Sequence, residues 1–335
     1  MTPTIEITSF SHLEKNQKDV IEFLDKTIRP TSHYSVIQEY PSLFKDLPGG
    51  LSYCTKINDK MVSHVGTVVR EFIGPTVRMK VGMIGSVATH PDHRKKGLAS
   101  QLITQASNDL KKKGCSLVWL WASEPDFYYS LGFNRAGGEV DFRFAKELIT
   151  QPMPAPIAFD SKKHLNQIWK LYQLHSLRID RSLEEFKKIS EIPNTRIFVT
   201  EKNQKVTSYI AINKGADFEN YIHEWGGEQK DVLENIQSVQ QHIFKEKNLT
   251  LIAPRTYDMK LIQENSLLFW KGVVGLCKVL DKKLLLRQYQ EHLKAVGLHT
   301  KALDSVNITD DSKLLEFVFQ SEQALPFFLW GFDSI

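Results

Sequence analysis

The sequence predicts an α/β protein with mixed sheets, repeated in tandem, and three observations carry that reading. A β-rich stretch over residues 51–89 is followed by an apolar-periodic helix from about Gly97 and then by the continuous apolar run CSLVWLWAS at 115–123. Strand, helix and strand make a crossover unit, and a strand apolar at every position belongs in the interior of a parallel sheet. After the proline-rich segment QPMPAPIAF, with Pro152, Pro154 and Pro156, the same order of elements partly returns.

Taken in order, residues 4–8 (TIEIT) alternate as a short strand, and Ser11 is placed to cap a helix through Leu13, Val20, Ile21, Phe23 and Leu24. LSYCTKI (51–57) and MVSHVGTVVREFI (61–73) read as strands joined by a hairpin at Asn58-Asp59-Lys60, and TVRMKVGMIGSVAT (76–89) reads as a third. The next helix carries Leu98, Leu102, Ile103, Ala106 and Leu110 on one face and ends on Lys111, Lys112, Lys113 and Gly114. Cations suit the negative end of the helix dipole, and glycine is the preferred stop. The second half reads as a helix (164–177), strands RIFVTE, KVTSYIAIN and NYIHEW, a helix (230–247) and the strand NLTLIAP. Helices at 284–296 and 312–319 precede the apolar end LPFFLWGFDSI. Disordered chain ends are polar, so this one should be packed. The expected domains are 1–150, 151–284 and a C-terminal segment 285–335.

Composition narrows the function classes. The 335 residues suffice for two or three domains, and 41% hydrophobic with 24% charged residues excludes disorder of the whole. A net charge of +4 is too balanced for a nucleic-acid binder, yet it would not repel an anionic substrate. No stretch reaches the ~20 apolar residues of a membrane helix, and the start MTPTIEITSFSHLEK lacks the basic-then-apolar layout of a secretory signal. The expectation is a cytoplasmic protein without a membrane or nucleic-acid partner. Cys54, Cys115 and Cys277 are scattered and odd in number, as buried thiols are. His90 and His93 flank a Pro-Asp turn with no third ligand at useful spacing, so no metal site is expected.

The stretch that carries chemistry is SVATHPDHRKKGLASQL, residues 86–102. Arg94, Gly97 and Ala99 form Arg-x-x-Gly-x-Ala where a strand gives way to a helix. The first turn of a helix offers unpaired N–H groups and the positive end of the dipole, so small residues there with Arg94, Lys95 and Lys96 alongside suit a pyrophosphate. A single glycine in this turn, without Gly-x-Gly-x-x-Gly, argues against a dinucleotide-dependent dehydrogenase.

This region resembles motif A of the GNAT superfamily of acetyl-coenzyme A-dependent N-acetyltransferases. WLWASEPDFYYSLGFNRAG (119–137) is similar to the family's following block, a strand and then Phe-Tyr-x-x-Leu-Gly-Phe. The resemblance implies acetyl-coenzyme A as co-substrate. Val87, Ala88 and Thr89 would face its pantetheine arm, and Arg94, Lys95, Lys96, Gly97, Leu98, Ala99 and Ser100 would lie around the pyrophosphate. Backbone N–H near Val87 would polarise the thioester carbonyl. Tyr128 matches the family's tyrosine, the acid that protonates the leaving thiolate, with Tyr129 taking that role if the register slips by one. Among candidate bases, His64, Glu71, Glu124 and Asp126 are near in sequence and read as surface or loop residues.

The second half looks like a degenerate GNAT-type unit. GGEQKD (226–231) stands where the phosphate loop would be and puts Glu228 and Asp231 where cations are needed. His223, Glu224 and Trp225 read either as core or as cleft residues. Two such units followed by a C-terminal segment resemble the Eis-like acetyltransferases, which implies that the carboxylate of Ile335 helps remove the acceptor's proton. The function expected is acetyl transfer to a primary amine of a small molecule or peptide. Acetylation of a protein lysine or N-terminus, and a non-catalytic acyl-coenzyme A sensor, are the alternatives. The acceptor itself would be chosen by loops such as 28–50 and 71–80, and the aromatic tail, if exposed, suits a homo-oligomer.

Overall fold

The structure is a computed structural model that describes residues 4–9, 15–44, 50–298 and 310–335. Ser11 and Leu13 of the expected first helix lie outside the described residues; the helix is seen over Lys15–Ile28. In chain order the strands are β1 (Thr4–Ser9), β2 (Leu51–Ile57), β3 (Lys60–Ile73), β4 (Arg78–Thr89), β5 (Leu117–Leu120), β6 (Asn134–Ala136), β7 (Glu139–Phe144) and β8 (Ile157–Ala158). They continue with β9 (Arg178–Ile179), β10 (Arg196–Lys202), β11 (Lys205–Lys214), β12 (Asp217–Gly227), β13 (Leu249–Pro254), β14 (Leu268–Gly272) and β15 (Gly275–Val279).

The chain divides into two compact units. One comprises residues 1–137, 274–326 and 333–335, the other 138–273 and 327–332. In the first, strands pair in the order β1-β2-β3-β4-β5-β15-β6. Asn58 and Asp59 take φ of 52° and 60°, the paired left-handed conformation that lets a two-residue turn follow the twist of β2 and β3. β4 and β5 are parallel, so the chain has to cross over, and it does so through the helix Leu98–Lys112. That helix buries Leu98, Leu102, Ile103, Ala106 and Leu110, the face its periodicity assigned. These side chains meet Tyr53, Val65, Ile84, Val118, Leu120 and Phe133 in one apolar cluster.

The second unit repeats the plan. β10, β11 and β12 form an antiparallel meander, the helix Gln229–His242 follows, and β13 returns parallel to β12 at Tyr221↔Thr250 and Ile222↔Leu251. This is a tandem α/β fold with a second unit of the same kind as the first.

The units are not the segments expected from sequence. β7 pairs with β13 and β14, so residues from Gly138 onward belong to the second unit instead of closing the first at 150. β15 pairs with β5 and β6, so residues from Val274 belong to the first. The segment 285–335 is not a separate domain either. Ser116 Oγ donates to Gln288 Oε1 at 2.6 Å, and Phe319 packs edge-on against Trp119 with centroids 5.6 Å apart. The proline-rich stretch marks no boundary: Met153 N–H donates to Gln241 Oε1, and Ser238 Oγ donates to the Pro154 carbonyl. Prolines cannot donate to a ladder, so such a segment looks like a linker in sequence even where side chains tie it down.

The aromatic tail is packed, as apolar ends should be. Phe327, Phe328, Leu329, Trp330 and Phe332 are all buried within this chain, which removes the exposed aromatics from which self-association was expected. No helix among the described residues is long and apolar enough to cross a membrane.

Candidate active site

The site is built by the departure of β4 from β5. Parallel pairing covers only Val81↔Leu117, Gly82↔Val118 and Met83↔Trp119, yet β4 runs on to Thr89. Beyond Met83 the backbone of β4 therefore faces the mouth of a splayed sheet. A β-bulge interrupts β4 a few residues past its last pair with β5. Gly85 pairs with Gly66 and Ala88 with His64, so Ser86 and Val87 together oppose one residue of β3. Ser86 takes φ of 49°, a left-handed conformation uncommon for a residue with a side chain.

His64 holds that bulge. Its Nδ1 lies 2.8 Å from the Ser86 carbonyl oxygen and its Nε2 2.9 Å from Ser52 Oγ. A carbonyl only accepts, so Nδ1 carries the proton and Nε2 accepts from the serine hydroxyl. The ring is fully buried, and burial lowers its pKa to about 4, which keeps it neutral. His64 is thus no surface residue, contrary to the sequence reading. Its strand buries Val62 through Val68 without a break, so both faces of β3 are interior. The signal was available: a histidine within an uninterrupted run of apolar and small residues belongs to such a strand.

After Thr89 the chain makes the short turn Pro91–His93 and enters the helix through Arg94, Lys95, Lys96 and Gly97. Lys95 and Gly97 both have positive φ, 60° and 75°. Gly97 is the N-cap, with no side-chain bond there, so the amides of the first turn have no cap over them. A Cβ at Gly97 would meet nothing nearer than Gln101 Nε2 at 4.0 Å, so glycine is required by conformation and the approach to the turn is open. Arg94, Lys95 and Lys96 are exposed beside it, Arg94 donating to the Thr89 carbonyl and Lys96 to that of Asp92. Leu98 is buried under the turn, while Ala99 and Ser100 are part-exposed. The ten residues expected around a phosphate-bearing ligand, Val87–Thr89 and Arg94–Ser100, lie at the end of β4 and at the entry to the helix, separated by the turn Pro91–His93.

Tyr128 sits in the short helix Pro125–Tyr129, whose end is fixed by Leu131 and Phe133 N–H groups donating to the Tyr128 carbonyl and by Gly132 at φ 84°. Its ring packs, with Val87, on the apolar cluster and meets Phe133 edge-on at 5.9 Å. Among the described residues the hydroxyl has no hydrogen-bond partner, and burial, with the Glu124 charge second, raises its pKa to about 12. Tyr129 differs: it is exposed, and its oxygen accepts from Arg135 Nε at 3.1 Å. Of the two, Tyr128 presents a protonated, unengaged phenol.

Ile335 reaches β4. A Cβ built on Gly85 would stand 1.8 Å from the Ile335 oxygen and 2.3 Å from its carboxyl carbon. Gly82 faces Leu110 of the crossover helix; Gly85, three residues on, faces the other side of the sheet. Ile335 is therefore seated on the face away from that helix, one residue before the bulge. Glu124 and Asp126 are exposed and Glu71 is part-exposed, as expected of surface carboxylates.

In the second unit His223, Glu224 and Trp225 are core residues. Glu224 is buried against Arg181 at 2.7 Å and accepts from Tyr209 at 3.2 Å, and Trp225 donates to the Ile252 carbonyl. The helix N-terminus there is unlike the one at Gly97. Asp231 occupies its first turn and is bridged by Lys202, which also reaches Glu234.

A splayed pair of parallel strands followed by an uncapped helix start is the arrangement that the GNAT resemblance implies. Residues 29–136 match the family model described as an acetyltransferase (GNAT) domain, and this part of the chain is such a domain. Three solved structures share the fold. A protein from Enterococcus faecalis V583 described as "Probable N-Acyltransferase" superposes with a TM-score of 0.66 at 15% identity, over 86% of this chain and 75% of that one. A GCN5-related N-acetyltransferase from Kribbella flavida gives 0.59 at 14% identity, over 86% and 74%. Eis1 from Mycobacterium abscessus gives 0.56 at 11%, over 85% and 76%, and the tandem arrangement here is Eis-like. Among curated proteins none matches the sequence significantly.

Proposed function

We propose that the protein transfers the acetyl group of acetyl-coenzyme A to a primary amine of a small molecule or peptide. The observation that carries this reading is the splay of β4 from β5 beyond Met83, with the uncapped helix start at Gly97 at the end of the same strand. The backbone of Val87–Thr89, left unpaired on its β5 side, suits an amide-rich pantetheine arm, which can pair with it as an added strand does. The amides from Lys95 to Ser100 suit a pyrophosphate, assisted by the Arg94, Lys95 and Lys96 charges.

In this reading the amine nitrogen attacks the thioester carbonyl, forming a C–N bond as the C–S bond breaks. An alkylammonium must first lose a proton, and a second, released from nitrogen as the amide forms, restores the phenol of Tyr128 after it has protonated the thiolate. The Ile335 carboxyl group, seated against Gly85, is the base for the first. The Val87 amide stabilises the carbonyl oxygen as it gains charge, and Tyr128 gives its proton to the departing thiolate. A phenol held near pKa 12 stays protonated at any physiological pH, as an acid in this step requires. The buried free thiols Cys54, Cys115 and Cys277 suit a reducing, cytoplasmic setting.

Calorimetry with acetyl-coenzyme A, together with thiol release across a panel of mono- and polyamines and peptides, tests the reading. Binding with amine-dependent release is expected. Binding without release on any amine leaves a sensor, and absence of binding removes the proposal.

A further inference from the structure

We infer that His64 is a positioning residue that aims the amide of Val87 at the reacting carbonyl. The inference rests on the acetyltransferase reading and adds to it a residue on a neighbouring strand. A trans peptide sets the carbonyl oxygen of one residue and the N–H of the next in opposite directions. The Ser86–Val87 peptide is trans, so where the Ser86 oxygen is drawn, the Val87 amide is turned the other way. The Ser86 oxygen is drawn to His64 Nδ1 at 2.8 Å. Ser86 pays for this with a left-handed φ of 49°, a conformation that would relax without a partner holding it.

The ring is itself fixed from behind. Ser52 Oγ, on β2, lies 2.9 Å from Nε2, which leaves the Nδ1–H tautomer as the one both contacts accept. Phe44 packs beside the ring with centroids 6.0 Å apart, and the imidazole is wholly buried. Ser52, His64 and Ser86 therefore form a relay across β2, β3 and β4 that ends in one peptide plane. Val87 packs on the same apolar cluster as Tyr128, the proposed acid, so the plane that His64 sets belongs to the wall where the thioester would lie. His64 touches no substrate in this arrangement; it acts through the Ser86–Val87 peptide.

Two substitutions separate this role from a structural one. The side-chain amide of asparagine can stand near the position of Nδ1, and that of glutamine near Nε2. His64→Asn keeps a donor for Ser86, whereas His64→Gln keeps a partner for Ser52 and loses that donor. The probe is acetyl-coenzyme A labelled with carbon-13 at the thioester carbonyl. Bound to the wild-type protein its resonance should move downfield, as polarisation requires. His64→Gln should lose that shift and roughly 10²-fold in kcat, the cost of one oxyanion donor, with the dissociation constant for coenzyme A unchanged. His64→Asn should restore both. Equal shifts in all three proteins, or parallel loss of shift, coenzyme A binding and melting temperature in both variants, overturns the inference. Should His64→Gln not fold, nitrogen-15 spectra of the wild-type imidazole decide: an Nε2–H tautomer at neutral pH overturns it, and an Nδ1–H tautomer with the carbonyl shift supports it. Failure of the wild type to bind acetyl-coenzyme A at all overturns the acetyltransferase reading, and this inference with it.

Discussion

The carboxyl group of Ile335 lies directly on the α-carbon of Gly85, in space that any side chain would fill: a Cβ there would stand 1.8 Å from the Ile335 oxygen and 2.8 Å from its side chain. Gly85 is not in the left-handed region, so the glycine serves close approach and not backbone freedom. Gly85→Ala should displace Ile335 and lower kcat on the order of 10²-fold, the scale of an ångström-sized misplacement, while coenzyme A affinity is retained. Steady-state kinetics with calorimetry reads both. Unchanged kcat in this variant, and in one extended by a few residues past Ile335, removes Ile335 from the chemistry.

Tyr128→Phe should lower kcat by at least about 10²-fold with little change in KM, because it deletes a buried phenol that has no hydrogen-bond partner among the described residues and sits beside Val87. Tyr129→Phe breaks only an exposed contact with Arg135 and should leave turnover within about twofold. A pH–rate profile of the wild type should show no alkaline loss assignable to Tyr128 near pH 10, since its pKa lies near 12.

Gly97→Ala should weaken acetyl-coenzyme A binding by distorting the helix start. The left-handed φ of 75° costs an L-residue roughly 1–2 kcal/mol, whereas nothing blocks the added methyl. Arg94→Glu should weaken it further and abolish part of its salt dependence, measured as the dissociation constant between low and high ionic strength.

Glu139 lends stability a pH dependence of predictable sign. Burial, then the neighbouring Asp141 charge, raise its pKa to about 8, against the opposing pull of Arg255. The folded state therefore binds a proton there more tightly than the unfolded chain, whose carboxyl titrates near 4.5. The contribution is fully present below that lower value and is lost as pH rises through 8. Glu139→Gln, which mimics the protonated form, should melt with the wild type at pH 5 and above it at pH 9; identical curves at pH 9 contradict the assignment.

Arg181 and Glu224 are both buried, and the arginine also stacks over Tyr172 at 4.3 Å. Glu224→Ala strands a buried cation and should cost about 3–5 kcal/mol in urea unfolding. Replacing both by apolar residues of similar size should cost less, because no charge is then left uncompensated.

The helix Leu98–Lys112, the hairpin at Asn58-Asp59, the buried β5 and the loop Arg94–Gly97 were all legible, because each depends on local signals: a 3.6-residue period, paired turn formers, an apolar run, a glycine before a helix. The exchange of β7 and β15 between sheets was not, because strand pairing is decided by partners more than a hundred residues away. The same distance hid the core role of Glu224, whose sequence neighbours give no hint of Arg181.

By itself the sequence determined where the crossover helix runs and which face it buries, since those properties reside in the order of neighbouring residues. Only the tertiary structure decided that β4 bulges at Ser86, that His64 turns the peptide there, and that Ile335 comes to rest on Gly85. Each of these joins groups far apart along the chain at contact distance, where hydrogen-bond direction and excluded volume act, and neither force leaves a mark in the linear pattern.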